Sequence, residues 1–410
     1  MYTYAGNSFR GAERAMEVFN FVFPFLGLDI PSHVTIREWV LKAGLAELCR
    51  EKKAIEDYAI IVDESITIAE HKVLMTLAVP AQQGGHPLAC SDAEVADIHV
   101  AGSHKGKDIK EAIERTTERL GKAPVYAVTD NGRNLARGLS DAGIDNHRDI
   151  SHTFGTFLKA VYEGDDEFGA LTKDIGNARH FALTDVDYLM PCNMRAIARW
   201  MNVFDWARWA KDMIEAEHKL KSEERKMYAF LWEHGALVEE LNEVMDCFRK
   251  VLDICKDRGL SRKTVLECNA VIRQGLMGRG HRLTRLGDMM LRYFAEEASL
   301  LKDEDDVHHI SSDLIESMFG YFKQRKSPNR MYGVTCFILV MPLRDRLSDL
   351  KTARAFDFKA ALEHNRIADV KAWERKTLPE NLAAKRVRIL SQASGHHTIK
   401  KESQLNTLQI

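Results

Sequence analysis

Two uninterrupted apolar runs, each ending at an aspartate, constrain the fold of this chain more than any other feature. Residues 58–62 read Tyr-Ala-Ile-Ile-Val and stop at Asp63, and residues 124–129 read Pro-Val-Tyr-Ala-Val-Thr and stop at Asp130. Short, continuously apolar runs are typical of strands that are buried on both faces of a sheet. The sequence therefore predicts two central strands, each with an acid at its end.

The segments around these runs complete a sheet that helices cover. Residue patterns predict further strands over 72–79, 94–100 and 146–150, a helix over 108–120 and a second helix that starts at Asn131. The order is three strands, helix, strand, helix, strand. It predicts an α/β (α+β) fold with a mixed five-stranded sheet and helices on both faces.

Changes of pattern along the 410 residues predict five segments. Residues 1–53 are expected to be helical, and 54–163 to hold the first part of the sheet core. Residues 164–308 lack strand patterns and predict a large all-helical insertion. Residues 309–350 return to the core, and 351–410 predict a charged helical tail that frays over its last residues.

The first segment resembles a helix-turn-helix. Residues 8–23 predict one helix, Pro31 and Ser32 signal the start of a second, and polar residues occupy the beginning of that second helix. In a DNA-binding helix-turn-helix, Ser32, His33, Thr35 and Arg37 would face the groove. An ordinary helical hairpin fits the same pattern equally well.

Composition excludes several classes of protein. The hydrophobic and charged fractions, 45% and 29%, are those of a globular protein, and no apolar run is long enough to span a bilayer. The N-terminus lacks a secretory signal, so we expect a cytoplasmic, nucleoid-associated protein without a membrane partner. Seven scattered cysteines without a C-x-x-C pair argue against disulfides and a zinc site.

Nucleic-acid binding is compatible with a formal net charge of −2, because local charge decides it. Residues 273–285 contain four arginines and no acid, and a second cluster without acids contains Lys323, Arg325, Lys326 and Arg330. Such clusters are often solvated surface. The second one directly follows Glu316, and this position favours DNA contact.

Glu316 lies on a predicted helix with Lys323 two turns later on the same side and Gly320 between them. The glycine would let a DNA backbone approach that stripe closely. A plainer interpretation makes Asp313 the N-cap and Glu316 its capping-box partner.

Asp63, Asp130 and Glu316 together predict a site for hard cations. Acids at the ends of neighbouring central strands converge at one sheet edge, and a third acid would come from a nearby helix. Carboxylates suit Mg²⁺, and two such ions, with Mn²⁺ as a substitute, would catalyse an in-line displacement at phosphorus. Each acid also has a structural interpretation: Asp63 could end a strand while Glu64 is the ligand, and Asp130 could cap the next helix.

The order of these elements and acids resembles the RNase H-like catalytic core of the DDE transposases of bacterial insertion sequences. In that family the first Asp ends the first strand, the second Asp ends the fourth strand, and the Glu lies on a late helix, which are the places of Asp63, Asp130 and Glu316. Lys323 matches the lysine of the family's E-x₆-K pattern. Ser312 stands four residues before Glu316, so the family's usual Tyr and Arg upstream of the Glu are missing.

The resemblance extends to the segment after Asp130. Asp149 and His152 match a [C/D]-x-x-H element of hAT-like transposases, which implies that His152 lies near the scissile phosphate as an auxiliary residue. A hydrogen-bonded structural histidine is the alternative. The family also interrupts its core between the second Asp and the Glu, where Trp200, Trp206 and Trp209 would either pack in a helical core or hold a flipped base.

The resemblance implies a DNA transposase that cleaves element ends and joins the 3′-hydroxyl strand to target DNA by two-metal phosphoryl transfer. Its partners would be double-stranded DNA and a second copy of the chain, because two ends must be paired. Two alternatives stay open: an RNase H-like nuclease, and a non-catalytic or domesticated transposase-derived protein that only binds DNA.

Overall fold

The computed structural model describes residues 3, 6–51, 56–65, 67–182, 187–190, 200, 203–344, 346–347 and 349–392. The chain divides into two compact units. One comprises Met1–Ala81, Leu88–Asn146 and Ser312–Ile410, and the other comprises Gln82–Pro87 and His147–Ser311. We call them the sheet unit and the helical unit. The predicted fraying of residues 394–410 lies outside the described residues.

A mixed five-stranded sheet, as predicted, lies in the sheet unit except for the last two residues of its fifth strand. Its strands have the order β3-β2-β1-β4-β5. Strand β1 pairs antiparallel with β2 and parallel with β4, and β2 pairs antiparallel with β3. The strands are β1 (Tyr58–Glu64), β2 (Lys72–Pro80), β3 (Glu94–Ala101), β4 (Ala127–Thr129) and β5 (Asn146–Arg148).

Helices cover both faces of this sheet because successive side chains of a strand point to opposite faces. One face of β1, with Ala59 and Ile61, belongs to a core that includes Leu314, Ile315 and Met318 of the Glu316 helix. The other face, with Ile60 and Val62, packs on two further helices. The helices of the sheet unit are α1 (Phe9–Val22), α2 (His33–Cys49), α3 (Gly106–Leu120) and α4 (Arg133–Ala142), followed in the last third of the chain by α13 (Asp313–Arg325), α14 (Leu350–Ala355), α15 (Phe358–Glu363) and α16 (Ile367–Thr377), with a last helical stretch over 382–392.

Three predicted boundaries were wrong for local reasons. Strand β4 begins at Ala127 rather than Pro124, and β5 ends at Arg148 because a helix starts at Ile150. The helix after Asp130 begins at Arg133, since Asn131 has a left-handed φ of 61° and cannot be helical. The helix with Glu316 begins at Asp313 with Ser312 as its N-cap. Asp313 is therefore not the N-cap, and the predicted capping box is wrong.

Serine caps precede both N-terminal helices. Ser8 accepts the Gly11 N–H ahead of α1, and Ser32, predicted to start the second helix, accepts the Thr35 N–H ahead of α2. Residues 23–32 separate the two helices, whereas a helix-turn-helix has a turn of about 3–4 residues. The connection is therefore longer than the resemblance to a helix-turn-helix predicts.

The second half of α2 is fixed against a strongly apolar 3₁₀ segment, Cys336–Leu343. The contact is so close that a Cβ added at Gly44 would lie 1.9 Å from the Leu339 carbonyl oxygen. Only a residue without a side chain fits there. This packing joins the N-terminal helices to the segment that follows the Glu316 helix.

The helical unit is built around a core of its own. Trp206, Phe248 and Phe294 are completely buried in it, and Phe154 is nearly so. Its helices are α5 (Ile150–Tyr162), α6 (Asp166–Ala182), α7 (Val203–Glu215), α8 (Ser222–Met227), α9 (Phe230–Glu233), α10 (Gly235–Arg258), α11 (Arg262–Leu276) and α12 (His281–Ala298). None of the helices in the described part of the chain is long and apolar enough to cross a membrane.

Candidate active site

Asp63 and Asp130 occupy neighbouring positions at the edge of the sheet. The parallel register pairs Ile60 with Ala127 and Ile61 with Val128. Asp63 lies in β1 and Asp130 directly follows the end of β4, so both acids stand near the carboxyl ends of adjacent parallel strands. Asp63, two residues after Ile61, shares the face of Ile61, whereas Asp130 lines a pocket together with Glu64.

The Glu316 helix packs on that same face. Ile315 and Met318 of α13 are fully buried in the core that contains Ile61 and Val128. Glu316, between these two residues, is exposed. The helix thus holds its carboxylate outside the core, on the side of the sheet where Asp63 lies.

Lys323 lies within the electrostatic influence of Asp63 and Glu316. Burial lowers the pKa of its ammonium, and the negative charges of Asp63 and Glu316 oppose that shift. The lysine is therefore close enough to both carboxylates to respond to their charge. Its Nζ also lies 5.6 Å from the centre of the Phe319 ring. The spacing of Glu316 and Lys323 correctly predicted that they share one side of a helix, but it could not reveal Asp63 as a neighbour.

Backbone hydrogen bonds orient the two aspartates. Asp63 Oδ1 accepts the N–H of Glu64 at 2.6 Å, and Asp130 Oδ1 accepts the N–H of Gly132 at 2.8 Å. The second bond closes a tight turn through Asn131, whose positive φ is tolerated by asparagine. Asp130 therefore shapes the turn between β4 and α4, while Gly132 is the N-cap of α4.

Glu64, the alternative ligand, faces the other side of the sheet, where it has partners of its own. Its carboxylate binds the Lys72 ammonium, and its Oε1 lies 2.7 Å from His104 Nδ1. Burial alone would raise the pKa of Glu64, but these two partners outweigh burial and lower it. Sequence reasoning missed Lys72 and His104 because the contact joins three separate segments.

A pocket of about 310 Å³ lies beside this cluster. It extends from Glu64, Lys72 and His104 to Asp130 and the start of α4, where Arg133 is exposed. Asp130 therefore lines the same pocket as Glu64, Lys72 and His104.

The carboxylates do not form a closed metal cage. Within the described ranges, no group of three or more His, Cys, Asp or Glu side chains is assembled closely enough to hold a metal ion. The oxygen-only chemistry of Asp63, Asp130 and Glu316 nevertheless suits Mg²⁺, which is usually held by one or two carboxylates together with substrate phosphates. Two aspartates near the ends of adjacent parallel strands are compatible with that kind of site.

The basic residues after Lys323 that were predicted to contact DNA differ in their surroundings. The Arg325 guanidinium stacks 3.8 Å from the centre of the Tyr321 ring, and Arg344 lies 4.3 Å from the same centre. Lys326 is half-buried and Arg330 is exposed. Arg330 and Lys326 therefore present charge to solvent more directly than Arg325 does.

The four residues at the start of α2 that were predicted to contact a DNA groove are mostly in contact with other residues of the protein. Ser32 caps the helix, and its hydroxyl lies 3.0 Å from that of Thr35. His33 Nδ1 lies 2.9 Å from Glu13 Oε2 on α1. Arg37 is the exposed charged residue of the predicted four. Fewer polar side chains at the beginning of α2 are therefore available to contact a DNA groove than its sequence suggests.

His152 belongs to the helical unit and is bonded to Asp149. Its Nδ1 lies 3.0 Å from Asp149 Oδ1, and its backbone N–H donates to the same oxygen at 2.7 Å. Asp149 is fully buried as the N-cap of α5. The two matched residues of the D-x-x-H element thus act on each other, as in the alternative interpretation of a hydrogen-bonded structural histidine.

The aromatic and basic residues of the helical unit are also used in packing. Trp206 is fully buried, Trp200 stacks on Phe168, and Trp209 donates its indole N–H to the Leu189 carbonyl. In the first basic cluster, Arg282 forms ion pairs with Asp165, Glu167 and Glu240, all at 3.0 Å or less. These contacts support the core-packing interpretation of the tryptophans.

Comparison with models of known protein families finds no match to this chain. No curated protein matches it significantly either. Its chemistry must therefore be inferred from the arrangement of its own residues.

Proposed function

We propose that the chain is a DNA transposase with an RNase H-like, DDE-type active site. It would cleave the ends of a mobile element and transfer the 3′-hydroxyl strand to target DNA. One observation carries this proposal: Asp63 and Asp130 stand near the ends of two strands that pair in parallel, and the helix with Glu316 covers the sheet face of Asp63. The mixed five-stranded sheet supports it further.

Asp63, Asp130 and Glu316 would hold Mg²⁺, or Mn²⁺ as a substitute, together with oxygens of the scissile phosphate. Bound divalent ions supply activation of the attacking oxygen and stabilisation of the leaving one. The protein's own contribution is alignment. Two aspartates, each held by a backbone hydrogen bond at the ends of adjacent strands, would present their carboxylates to the substrate, and α13 would bring the carboxylate of Glu316 from the covering layer.

Lys323 would place a positive charge beside the carboxylates of the site, where the negatively charged DNA would bind. Its ammonium already acts on Asp63 and Glu316, so it offsets part of their repulsion towards a DNA phosphate. Exposed Arg330 and half-buried Lys326 would extend this positive surface along the DNA backbone. Such contacts position DNA and carry no sequence information.

The decisive experiment measures strand cleavage and DNA binding separately, on DNA that carries the segments flanking the gene. Asp130→Asn should abolish Mg²⁺-dependent cleavage while binding of the ends stays measurable, because the amide keeps its shape but loses its charge. Glu114→Gln is the control, since Glu114 is an exposed carboxylate on α3 paired with Lys110. Undiminished cleavage by Asp130→Asn would refute the assignment.

The same experiment separates the transposase from a protein that only binds DNA. A binding protein would show specific end binding in the wild-type chain and no cleavage with either Mg²⁺ or Mn²⁺. An RNase H-like nuclease would cleave without joining strands to a target. Joined products that contain both DNAs distinguish the proposed reaction from this second alternative.

A further inference from the structure

The N-terminal helices expose an unusual amount of apolar surface. No charged residue occurs between Glu17 and Asp29, and this stretch contains four phenylalanines. Phe21 is 86% exposed and Phe25 81% exposed. We define the N-terminal patch as the exposed apolar residues from Val18 to Leu28 together with Val34 and Trp39 of α2.

The size of the patch sets it apart from ordinary surface. From the exposed fractions of its residues and about 200 Å² for each aromatic side chain, its area is about 1,000 Å². The largest apolar patch of a typical monomer is about 300–600 Å², and a stable interface buries about 800 Å² on each partner. The patch is therefore large enough to form a dimer interface by itself.

The same surface contains both a protrusion and a hollow. Phe21 and Phe25 project from it, while a hollow of about 490 Å³ opens between α1 and α2. Its walls are almost wholly apolar, with Met16, Ile36 and Leu347 among them. In a two-fold dimer each copy presents the same patch, so protrusions of one copy meet the hollow of the other.

The rim of the patch carries charges of both signs. Arg14 and Glu17 are exposed on α1. Two copies related by a two-fold axis can pair the arginine of one with the glutamate of the other. A DNA backbone would meet here a surface whose centre lacks positive charge, and this argues for a protein partner.

We propose that the N-terminal patch is a self-complementary interface through which two copies of this chain associate without DNA. Phe21 and Phe25 of each copy enter the apolar hollow of the other. The inference needs no catalytic activity, so it stands or falls independently of the transposase assignment.

Sedimentation and light scattering of the full chain without DNA test this interface. The wild type should be a dimer at micromolar concentration. The double substitution Phe21→Glu, Phe25→Glu should raise the dimer dissociation constant about 100-fold or more, since buried aromatic anchors dominate such interfaces. Leu266→Glu is the matched control: Leu266 is 71% exposed on α11, outside the patch, and its substitution should leave the dimer intact.

Circular dichroism and thermal unfolding of the double variant establish that loss of the dimer is not loss of the fold. A wild-type chain that is monomeric over the whole concentration range overturns the proposal without reference to any variant. If the chain is monomeric and the double substitution lowers its affinity for DNA, the patch contacts DNA instead of a second copy.

Discussion

Gly320 offers a direct test of whether DNA approaches the stripe between Glu316 and Lys323. It lies inside α13, and apart from its chain neighbours and the backbone of its own helix, no heavy atom of the described residues lies within 4 Å of the position that a Cβ would take. The protein itself therefore has no steric need for glycine there. Replacing a helical glycine with alanine stabilises a helix by about 0.5–1 kcal/mol.

We expect Gly320→Ala to fold at least as well as the wild type and to lose activity. The gain in unfolding free energy should raise the melting temperature by about 1–4 °C. If a DNA backbone passes over the stripe, the added methyl group displaces it, and a misplacement of about 1 Å can lower the rate of a positioned reaction about 100-fold. Strand cleavage and calorimetric unfolding would be measured on the same sample.

Gly169→Ala is the matched control. Gly169 lies in α6 of the helical unit, also without a neighbour within 4 Å of its Cβ position among the described residues. It should give the same gain in stability with unchanged cleavage. If Gly320→Ala cleaves DNA at the wild-type rate, the stripe is not a site of close DNA approach and that reasoning is refuted.

Three further changes test packing, burial and charge. Gly44→Ala should lower the free energy of unfolding by about 3 kcal/mol or more, measured in urea, because its Cβ would lie 1.9 Å from the Leu339 carbonyl oxygen. Burial, followed by the charge of His147, lowers the pKa of His308 to about 4, below its unfolded value of about 6.5. Unfolding therefore takes up a proton between these pH values, and the free energy of unfolding should fall by up to about 3 kcal/mol as the pH drops from about 6.5 to about 4. The melting temperature of His308→Gln should depend less on pH than that of the wild type. Lys323→Gln should weaken DNA binding and make it less sensitive to salt, as titrations at several salt concentrations would show.

The sheet was predictable because its signals are local. A continuous apolar run that ends at Asp63 can only be a buried strand or a short core helix, and its length favours the strand. The start of α2 followed from Ser32 for the same reason, since a cap bonds to residues two or three positions ahead.

The features that sequence reasoning missed depend on distant residues or on unusual backbone angles. The contact of Glu64 with Lys72 and His104 joins two strands and a loop, and no spacing encodes it. Asn131 delays the start of α4 through a positive φ that many other residues in turns do not adopt. The run Cys336–Leu343 is apolar throughout, so its pattern could not distinguish a strand from the 3₁₀ segment that packs under α2.

The charge balance around Lys323 bears on the choice between an enzyme and a DNA-binding protein. Carboxylates beside a DNA surface repel phosphates, so a protein that only binds DNA gains nothing from keeping Asp63 and Glu316 next to half-buried Lys323. An enzyme that binds divalent ions needs them, because the ions reverse the sign of the local charge when substrate is bound. In the proposed enzyme, Lys323 would limit repulsion between the acids before DNA binds and would contact a phosphate afterwards. The charges around Lys323 are therefore those that the proposed phosphoryl transfer would use.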